Sequence, residues 1–387
     1  MNTIRHFIAK EYAEWVHIRR HLHAHPELSH QEVKTSRYIS TVLTHWGITH
    51  RTGIAGYGIF GQIMPLYATS KKSILLRADM DALPITEKND VSYQSQHPGV
   101  MHACGHDAHM TILLATLQFL HTHRELLTQP IAFIFQPAEE KAPSGARQMI
   151  EAGVLQDIQA IFGLHVSPEL PCGVIGLCSG PFMASADEIH CRIKGEFGHA
   201  AQVSPKKNPV FAAAEWLQFA ERLNSQERKL LVSFGKLEGR GATNIVPEEV
   251  CLLGTLRSFD ETLRRETLKK IKMEAQTIGK SRGVTIELQI PEGYPVLENN
   301  ADCVHQFENT LSQYAPELIV QRIPQRFGAE DFAWYTQIVP GCFFRLGSGY
   351  RTAGSKTALH QAEFDIDEDC LKAGVEAMIL AGGIIPK

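Results

Sequence analysis

The sequence predicts an α/β protein: a doubly wound, mainly parallel sheet that carries the chemistry, with a smaller ferredoxin-like α+β domain inserted into it. Three observations lead there. Short apolar runs at 72–79, 131–135 and 160–164 alternate with helical stretches, and such alternation builds a mainly parallel sheet covered on both faces. Near Ala186 the pattern changes to strand, helix, two strands, helix, strand, the order of a ferredoxin-like unit. From about Asn300 helix and strand alternate again, so the middle segment is bracketed by the larger domain. The expected division is 1–186 with 296–387, and 187–295 as the insert.

The elements follow in chain order. Residues 4–46 read as two helices broken at His25-Pro26. Residues 51–64 are glycine-spaced and alternating, which suits a hairpin or edge strand. The run 72–79 is apolar and ends in charge, as a buried strand does. Met110 to Leu120 forms an apolar helix, with Asp107 placed to cap its start. Residues 131–135 make a second buried strand, followed by Gln136-Pro137; 144–155 is helical; 160–164 is a third strand. In the insert, 188–194, 230–237, 249–257 and 284–290 read as strands, and 208–223 and 261–282 as amphipathic helices. The chain closes on a helix around 369–381.

Composition bounds the function. A chain of 387 residues fits two domains at roughly 150 residues each. The net charge of −4 comes with scattered Lys and Arg, so neither a nucleic-acid surface nor a polybasic membrane patch is expected. No apolar run is long enough to span a bilayer, and the first fifteen residues lack the apolar core of a signal peptide. Eight dispersed cysteines without a Cys-x-x-Cys pair do not read as a disulfide framework, and a cytoplasmic setting is expected.

The densest chemistry lies in Met101-His-Ala-Cys-Gly-His-Asp-Ala-His109. Thiolate and imidazole ligate zinc, manganese, nickel or iron-type ions. In an extended segment, Cys104 and His106 leave the same face. Asp79, Asp81, Glu139, Glu140 and His165 each fall at or just after the end of a predicted strand, where ligands gather in parallel sheets. A hydrolytic metal site needs several ligands plus a base that is not one of them. The candidates are Cys104, His106, Glu139 or Glu140, His165 and His360. Adjacent glutamates on a turn after Pro137 can divide the two roles. His102 and His109 are expected to serve as hydrogen-bonded structural residues.

Several motifs together resemble one family. Arg19-Arg-His-Leu-His-Ala-His-Pro-Glu-Leu28, Arg77-Ala-Asp-Met-Asp-Ala-Leu-Pro84, Met101-His-Ala-Cys-Gly-His-Asp107, Phe135-Gln-Pro-Ala-Glu-Glu140 and Phe162-Gly-Leu-His165 are similar to the amidohydrolase branch of metallopeptidase family twenty. That branch holds aminoacylases, hippurate hydrolases and hydrolases of indole-acetyl amino acids. Gly198-His-Ala-Ala201, Asn244-Ile-Val-Pro247, Gly254-Thr-Leu-Arg257, Glu330-Asp-Phe332 and Leu359-His360 extend the likeness, which runs from about residue 15 to the end.

The resemblance implies five metal ligands, Cys104, His106, Glu140, His165 and His360, holding one or two divalent ions per subunit (Mn2+, Zn2+, Ni2+ or Co2+). It implies Glu139 as general base and Asp81 as the residue that orients the ligand shell or the base. His199 becomes the oxyanion-stabilising histidine that reaches a neighbouring subunit's site, and Asn244 and Arg257 become substrate-binding residues. The inserted domain then serves as lid and dimerisation domain, and the protein is expected to be a homodimer or higher homo-oligomer. The expected activity is cleavage of small N-acyl amino acids by metal-activated water. The alternatives are an amidase with Cys104 as nucleophile and a relative that binds without turnover. Three departures bear on the substrate: Phe197 stands for a usual glycine before His199, Gln202-Val-Ser-Pro205 for a usual Pro-His, and Gln361-Ala362 follows His360.

Overall fold

The computed structural model describes residues 2–67, 70–227, 229–349 and 358–383. The chain forms two compact units. One comprises 1–180, 298–324 and 334–387, and the other 181–297 with 325–333. The short segment 325–333 therefore clusters with the second unit although it lies in the stretch expected to belong to the first.

The first unit contains α1 (Asn2–Ala24), α2 (Val33–His45), β1 (His50–Ile54), β2 (Gly58–Ile63), β3 (Ser73–Asp79), α3 (His106–Thr122), β4 (Ile131–Gln136), α4 (Gly145–Glu151), β5 (Ile158–Pro171) and β6 (Val174–Leu177). Its eight-stranded sheet also takes β15 (Ile319–Arg322) and β16 (Gly341–Gly349), in the order β1-β2-β4-β3-β5-β16-β6-β15. The β3/β4, β3/β5, β5/β16 and β6/β15 pairs are parallel. The β1/β2, β2/β4 and β6/β16 pairs are antiparallel. Strands β3, β4 and β16 are buried along their whole length, as expected where helices cover both faces. Helix α3 is buried nearly all round, which is why its sequence shows an apolar run and no clear polar face. It packs with α1 and with the C-terminal helix α9 (Cys370–Ala381) around Trp15, Phe119, Leu371 and Ile379. Helix α7 (Ala301–Tyr314) is capped by Asn300, whose side chain accepts the Cys303 amide.

Two local expectations are corrected. Helix α3 starts at His106 after Gly105 in the left-handed region, and the Asp107 carboxylate does not cap it. That carboxylate instead takes the Arg19 guanidinium at 2.9 Å and His23 Nδ1 at 2.7 Å. Strand β5 also runs on to Pro171, so His165 lies inside a strand, opposite Arg345 of β16, and not after its end.

The second unit is built on β8 (Asp187–Lys194), α5 (Pro209–Leu223), β10 (Leu230–Gly239), β12 (Glu249–Ser258), α6 (Glu261–Arg282) and β13 (Thr285–Gln289). Its antiparallel sheet has the order β10-β12-β8-β13. With both helices on one face, this is a ferredoxin-like α+β arrangement. Trp216, Ile189, Leu252, Ile271 and Ile278 fill its core. Helix α6 is well signalled at both ends. Asp260 accepts the Leu263 amide at 2.9 Å, and Gly283 closes the helix in the left-handed region (φ 64°). A short ribbon pairs β9 (Gly198–His199) with β11 (Ile245–Val246). The remaining short elements are β7 (Gly180–Met183), β14 (Leu297–Asn299) and α8 (Ala333–Thr336). Among the described residues, no helix is long and apolar enough to cross a membrane.

Candidate metal centre

Every residue expected to ligate metal belongs to the first unit, and the fold brings all five together. Cys104 Sγ lies 3.2 Å from His165 Nε2 and 3.3 Å from His360 Nε2. Glu140 Oε1 lies 3.6 Å from His360 Nε2 and 3.8 Å from His106 Nε2. Cys104, His106 and His165 form one tight group, and Cys104, Glu140 and His360 another.

Each side chain is aimed by a local device. Gly105 adopts φ 84°, and a Cβ there would meet Val166 Cγ2 at 2.3 Å. Only glycine can make this turn and approach β5 so closely. Cys104 and His106 are thereby set on either side of the turn. His360, itself at φ 63°, is tied down by its amide on Ala103 O at 2.8 Å. His165 donates Nδ1–H to Val166 O at 2.7 Å, which leaves the Nε2 lone pair facing Cys104. The Val166 amide is held in turn by His109 Nε2 at 2.9 Å, so the His109 proton resides on Nδ1, donated to Asp79 Oδ1 at 2.6 Å. Arg77 completes the chain on the other Asp79 oxygen at 2.5 Å. Such outer partners fix tautomer and ring orientation of a ligand histidine.

Asp81 links the two halves of the site. Its Oδ1 accepts the Glu139 amide at 3.1 Å and lies 3.4 Å from His106 Nδ1. Its Oδ2 accepts the Glu140 amide at 2.9 Å and the Ser29 hydroxyl at 2.6 Å. One buried carboxylate thus stands beside the His106 ring and holds the turn bearing both glutamates. A Glu139 carboxylate oxygen lies within 4.8 Å of ligand atoms of His106 and Glu140.

The electrostatics fit a divalent cation. Burial, reinforced by Glu140 and Glu139, pushes the Cys104 thiol well above its ordinary value. Burial also raises Glu140, although His106 opposes it. Burial, Arg345 and His109 hold His165 far below the usual imidazole range, so it is neutral. For His106, burial alone would favour the neutral ring, but Asp79 and Asp81 outweigh it and lift the group to about 10. Asp81 is raised by burial and more than compensated by His106, Ser29 and the Glu140 amide, so it is ionised. His106 Nε2 and Glu140 Oε1 are buried and make no hydrogen bond. Unpaired buried donors and acceptors are costly. A mixed thiolate, imidazole and carboxylate set around them is a donor set for a transition-type divalent ion.

The three remaining expected residues lie in the second unit. His199 is exposed on β9, with its Nδ1 taking the Ala201 amide at 3.2 Å. The β9/β11 ribbon sets Asn244 beside it, since Asn244 O accepts the Ala200 amide at 2.9 Å. Arg257 on β12 is half-buried and donates to Thr255 Oγ1 and to Leu256 O. Burial lowers its pKa.

The sequence reading missed the Ser29 contact and the linkage from Arg77 through Asp79 and His109 to Val166. The three-residue step from His106 to His109 on one helix was a visible signal for the second of these. Of the two histidines expected to be hydrogen-bonded, His109 is, and His102 is a correction. Both His102 ring nitrogens are buried without a hydrogen-bond partner, and burial lowers its pKa to about 3.

Comparison with known proteins agrees with this geometry. The sequence matches Peptidase family M20/M25/M40 over residues 75–381, and the chain belongs to that family. It is 35% identical over 379 residues to a putative amidohydrolase of Bacillus subtilis, YhaA, covering 97% of this chain and 94% of that one. It is 36% identical over 373 residues to IAA-amino acid hydrolase ILR1-like 2 of Arabidopsis thaliana, covering 94% and 83%. Among solved structures it superposes on a dinuclear metal binding peptidase of the M20 family from Bacillus subtilis. That match has a TM-score of 0.83, 30% identity and coverage of 97% and 99%.

Proposed function

We propose that this metal-dependent hydrolase cleaves the amide bond of small N-acyl amino acids, releasing a carboxylic acid and the free amino acid, with Glu139 as general base. The observation that supports the reading is the different placement of two adjacent glutamates. Glu140 faces His106 and His360 in the donor cluster, while Glu139 stands next to it without belonging to the Cys104 groups. The relatedness to an IAA-amino acid hydrolase supports the substrate class.

Cys104, His106, Glu140, His165 and His360 would hold one or two divalent ions, which supply Lewis acidity for the amide carbonyl and for water. An amide is a poor electrophile and neutral water a poor nucleophile, so both must be activated. Glu139 accepts the proton of the attacking water and returns it to the departing nitrogen. Asp81 keeps Glu139 and Glu140 on one clamped turn, so that the two carboxylates do not exchange roles. In the same reading, His199 donates a hydrogen bond to the tetrahedral oxyanion, where such a donor is typically worth about 100- to 1000-fold. Asn244 and Arg257 receive the substrate carboxylate or carbonyl. The second unit acts as lid and dimerisation domain, and His199 serves the partner's site in a cytoplasmic homodimer. The choice among Mn2+, Zn2+, Ni2+ and Co2+ belongs to experiment.

The test is a panel of N-acetyl, N-benzoyl and indole-acetyl amino acids with each metal, together with Glu139→Gln. The variant is expected to keep its metal and lose about 100- to 10,000-fold in kcat. Silence of the wild type across the panel, or an active Glu139→Gln, refutes the reading. Activity that survives a chelator but not a thiol alkylator would install Cys104 as the nucleophile instead.

A further inference from the structure

The turn that carries Glu139 and Glu140 is strained at its first residue. Ala138 sits at φ 50°, in the left-handed region that an alanine side chain disfavours. Such a conformation persists only when its surroundings over-determine it. Two groups do so. The Ala138 carbonyl accepts the Gly145 amide at 2.9 Å. The Ala138 amide donates at 2.8 Å to Glu32 Oε1, which arrives from 106 residues earlier in the chain. Glu32 stands at the N-cap position of α2, yet its side chain makes no capping bond to its own helix. It is fully buried. Burial lifts its carboxyl to about 7, against the opposing backbone amides of Glu32 and Ala138 and with a further push from Asp81. A buried carboxyl that raises its own desolvation penalty while leaving its helix uncapped needs a reason beyond helix stability.

The reason lies in the succession of amides. The N–H groups of residues 138, 139 and 140 are consecutive. The first goes to Glu32, and the next two go to the two oxygens of Asp81. Two carboxylates from distant segments thus receive all three amides of the turn. Asp81 holds the last two peptides; at the entry the Gly145 amide holds only the Ala138 carbonyl, and without Glu32 the Ala138 amide has nothing to keep it from rotating out of the left-handed region. Such a rotation at 138 would swing both glutamate side chains relative to His106.

We propose that Glu32 is a positioning residue for the reaction: by receiving the Ala138 amide it locks the left-handed entry to the turn, and so aims Glu139 at the reacting water and Glu140 into the donor cluster. The proposal rests on the assignment of Glu139 as base and Glu140 as ligand. What matters is the acceptor oxygen at that reach, not the charge.

Two substitutions separate these. Glu32→Gln removes the charge and keeps a carbonyl oxygen at the same distance. Glu32→Asp keeps the charge and withdraws the oxygen by one methylene. Both are made in the full-length protein loaded with Zn2+. Glu32→Asp is expected to lower kcat by about 10- to 100-fold, as a displacement near 1 Å does, with KM within about twofold. It should also release Zn2+ about 10-fold faster to EDTA, because outer-shell losses weaken metal sites on that scale. Glu32→Gln is expected to stay within about threefold of wild type in both readings, its acceptor being intact. Glu32→Asp behaving as wild type, or Glu32→Gln falling as far as Glu32→Asp, overturns the proposal. If the wild type hydrolyses no N-acyl amino acid, the functional reading fails by itself, and the order of Zn2+ release still decides the role of Glu32. If Glu32→Asp does not fold, amide exchange at 138–140 in Glu32→Gln decides: slow exchange as in wild type supports the anchor, and fast exchange overturns it.

Discussion

Asp81→Asn tests the organisation of the centre most directly. The carboxylate is buried and accepts three hydrogen bonds: the Glu139 amide at 3.1 Å, the Glu140 amide at 2.9 Å and the Ser29 hydroxyl at 2.6 Å. Asparagine has one acceptor oxygen and one donor NH2. The Ser29 hydroxyl can turn and accept, but the two backbone amides cannot. Whichever way the side chain is flipped, one amide of the turn faces another donor. A buried unsatisfied donor costs about 1–3 kcal/mol and a hydrogen bond to a charged group contributes about 1.5–3 kcal/mol. At about 1.4 kcal/mol per tenfold, a loss of about 1.5–3 kcal/mol is about 10- to 150-fold in metal affinity. A second effect opposes it. Asp81 is one of the groups that lift His106 to about 10. Without that charge His106 gives up its proton at lower pH, which eases metal binding near neutrality. The geometric loss should therefore be larger at pH 9.5, where the proton competes less, than at pH 7. Competitive dialysis against a chelator, with metal measured by atomic emission, reads both values, and kcat at saturating metal reads the turn. A folded variant with affinity and turnover unchanged at both pH values would show that Asp81 does not fix the turn.

The wild type should bind its metal more tightly as pH rises from 6 to 9.5. His106 and the Cys104 thiol, both raised, carry protons that the ion must displace. Calorimetry in two buffers of different ionisation enthalpy should show net proton release, and a pH-independent affinity would contradict this. Gly105→Ala forces a Cβ to 2.3 Å from Val166 Cγ2 at φ 84°. Overpacking of about 1–3 kcal/mol should appear as a lower thermal midpoint together with weaker metal retention. Arg19→Met strands the buried Asp107 carboxylate, whose salt bridge is 2.9 Å long, with His23 as its remaining partner. Breaking a buried pair costs about 3–5 kcal/mol, visible as a lower denaturant midpoint. Burial would raise Asp107, but Arg19 and His23 hold it far below its ordinary value. The contribution is thus present above the unfolded value of ~4 and lost as pH falls below it, so the gap between wild type and Arg19→Met should narrow in acid.

What could be read from the sequence divides by range. Helix α6 was legible to its ends because Asp260 and Gly283 are local signals. Strands β3 and β4 were legible because seven and six consecutive residues are buried. The Cys104-x-His106 pair and the strand-end carboxylates pointed to one pocket by residue type alone. The supports of that pocket were hidden because their partners are far apart in sequence. Arg19 meets Asp107 across 88 residues, and Ser29 meets Asp81 across 52. Asp107 therefore looked like a cap by its position, and the competing ion pair won. The extension of β5 past His165 was missed for another reason. His165, Ser167 and Pro168 interrupt the apolar run, yet pairing with β16 carries the strand onward.

The five residues from Gln136 to Glu140 place two adjacent carboxylates differently within one short turn. On a continuing strand, successive side chains point to opposite faces, so Glu139 and Glu140 could not both reach His106. Strand β4 ends at Gln136, and Pro137 supplies no amide to extend the ladder. Ala138 then reverses the sense of the backbone at φ 50°, which breaks the alternation. The next two amides are received by a single carboxylate, and both glutamates bring a carboxylate oxygen within 4.8 Å of a His106 ring nitrogen. Glu140 Oε1 is carried to 3.8 Å from His106 and 3.6 Å from His360, while Glu139 comes within 4.8 Å of His106 and Glu140 and groups with neither Cys104 nor His360. Neither glutamate can move into the other's place without dragging the clamped peptide with it. Under the proposed roles, the backbone of the turn, more than the identity of either side chain, would therefore set which glutamate joins the donor cluster and which is left for the proton.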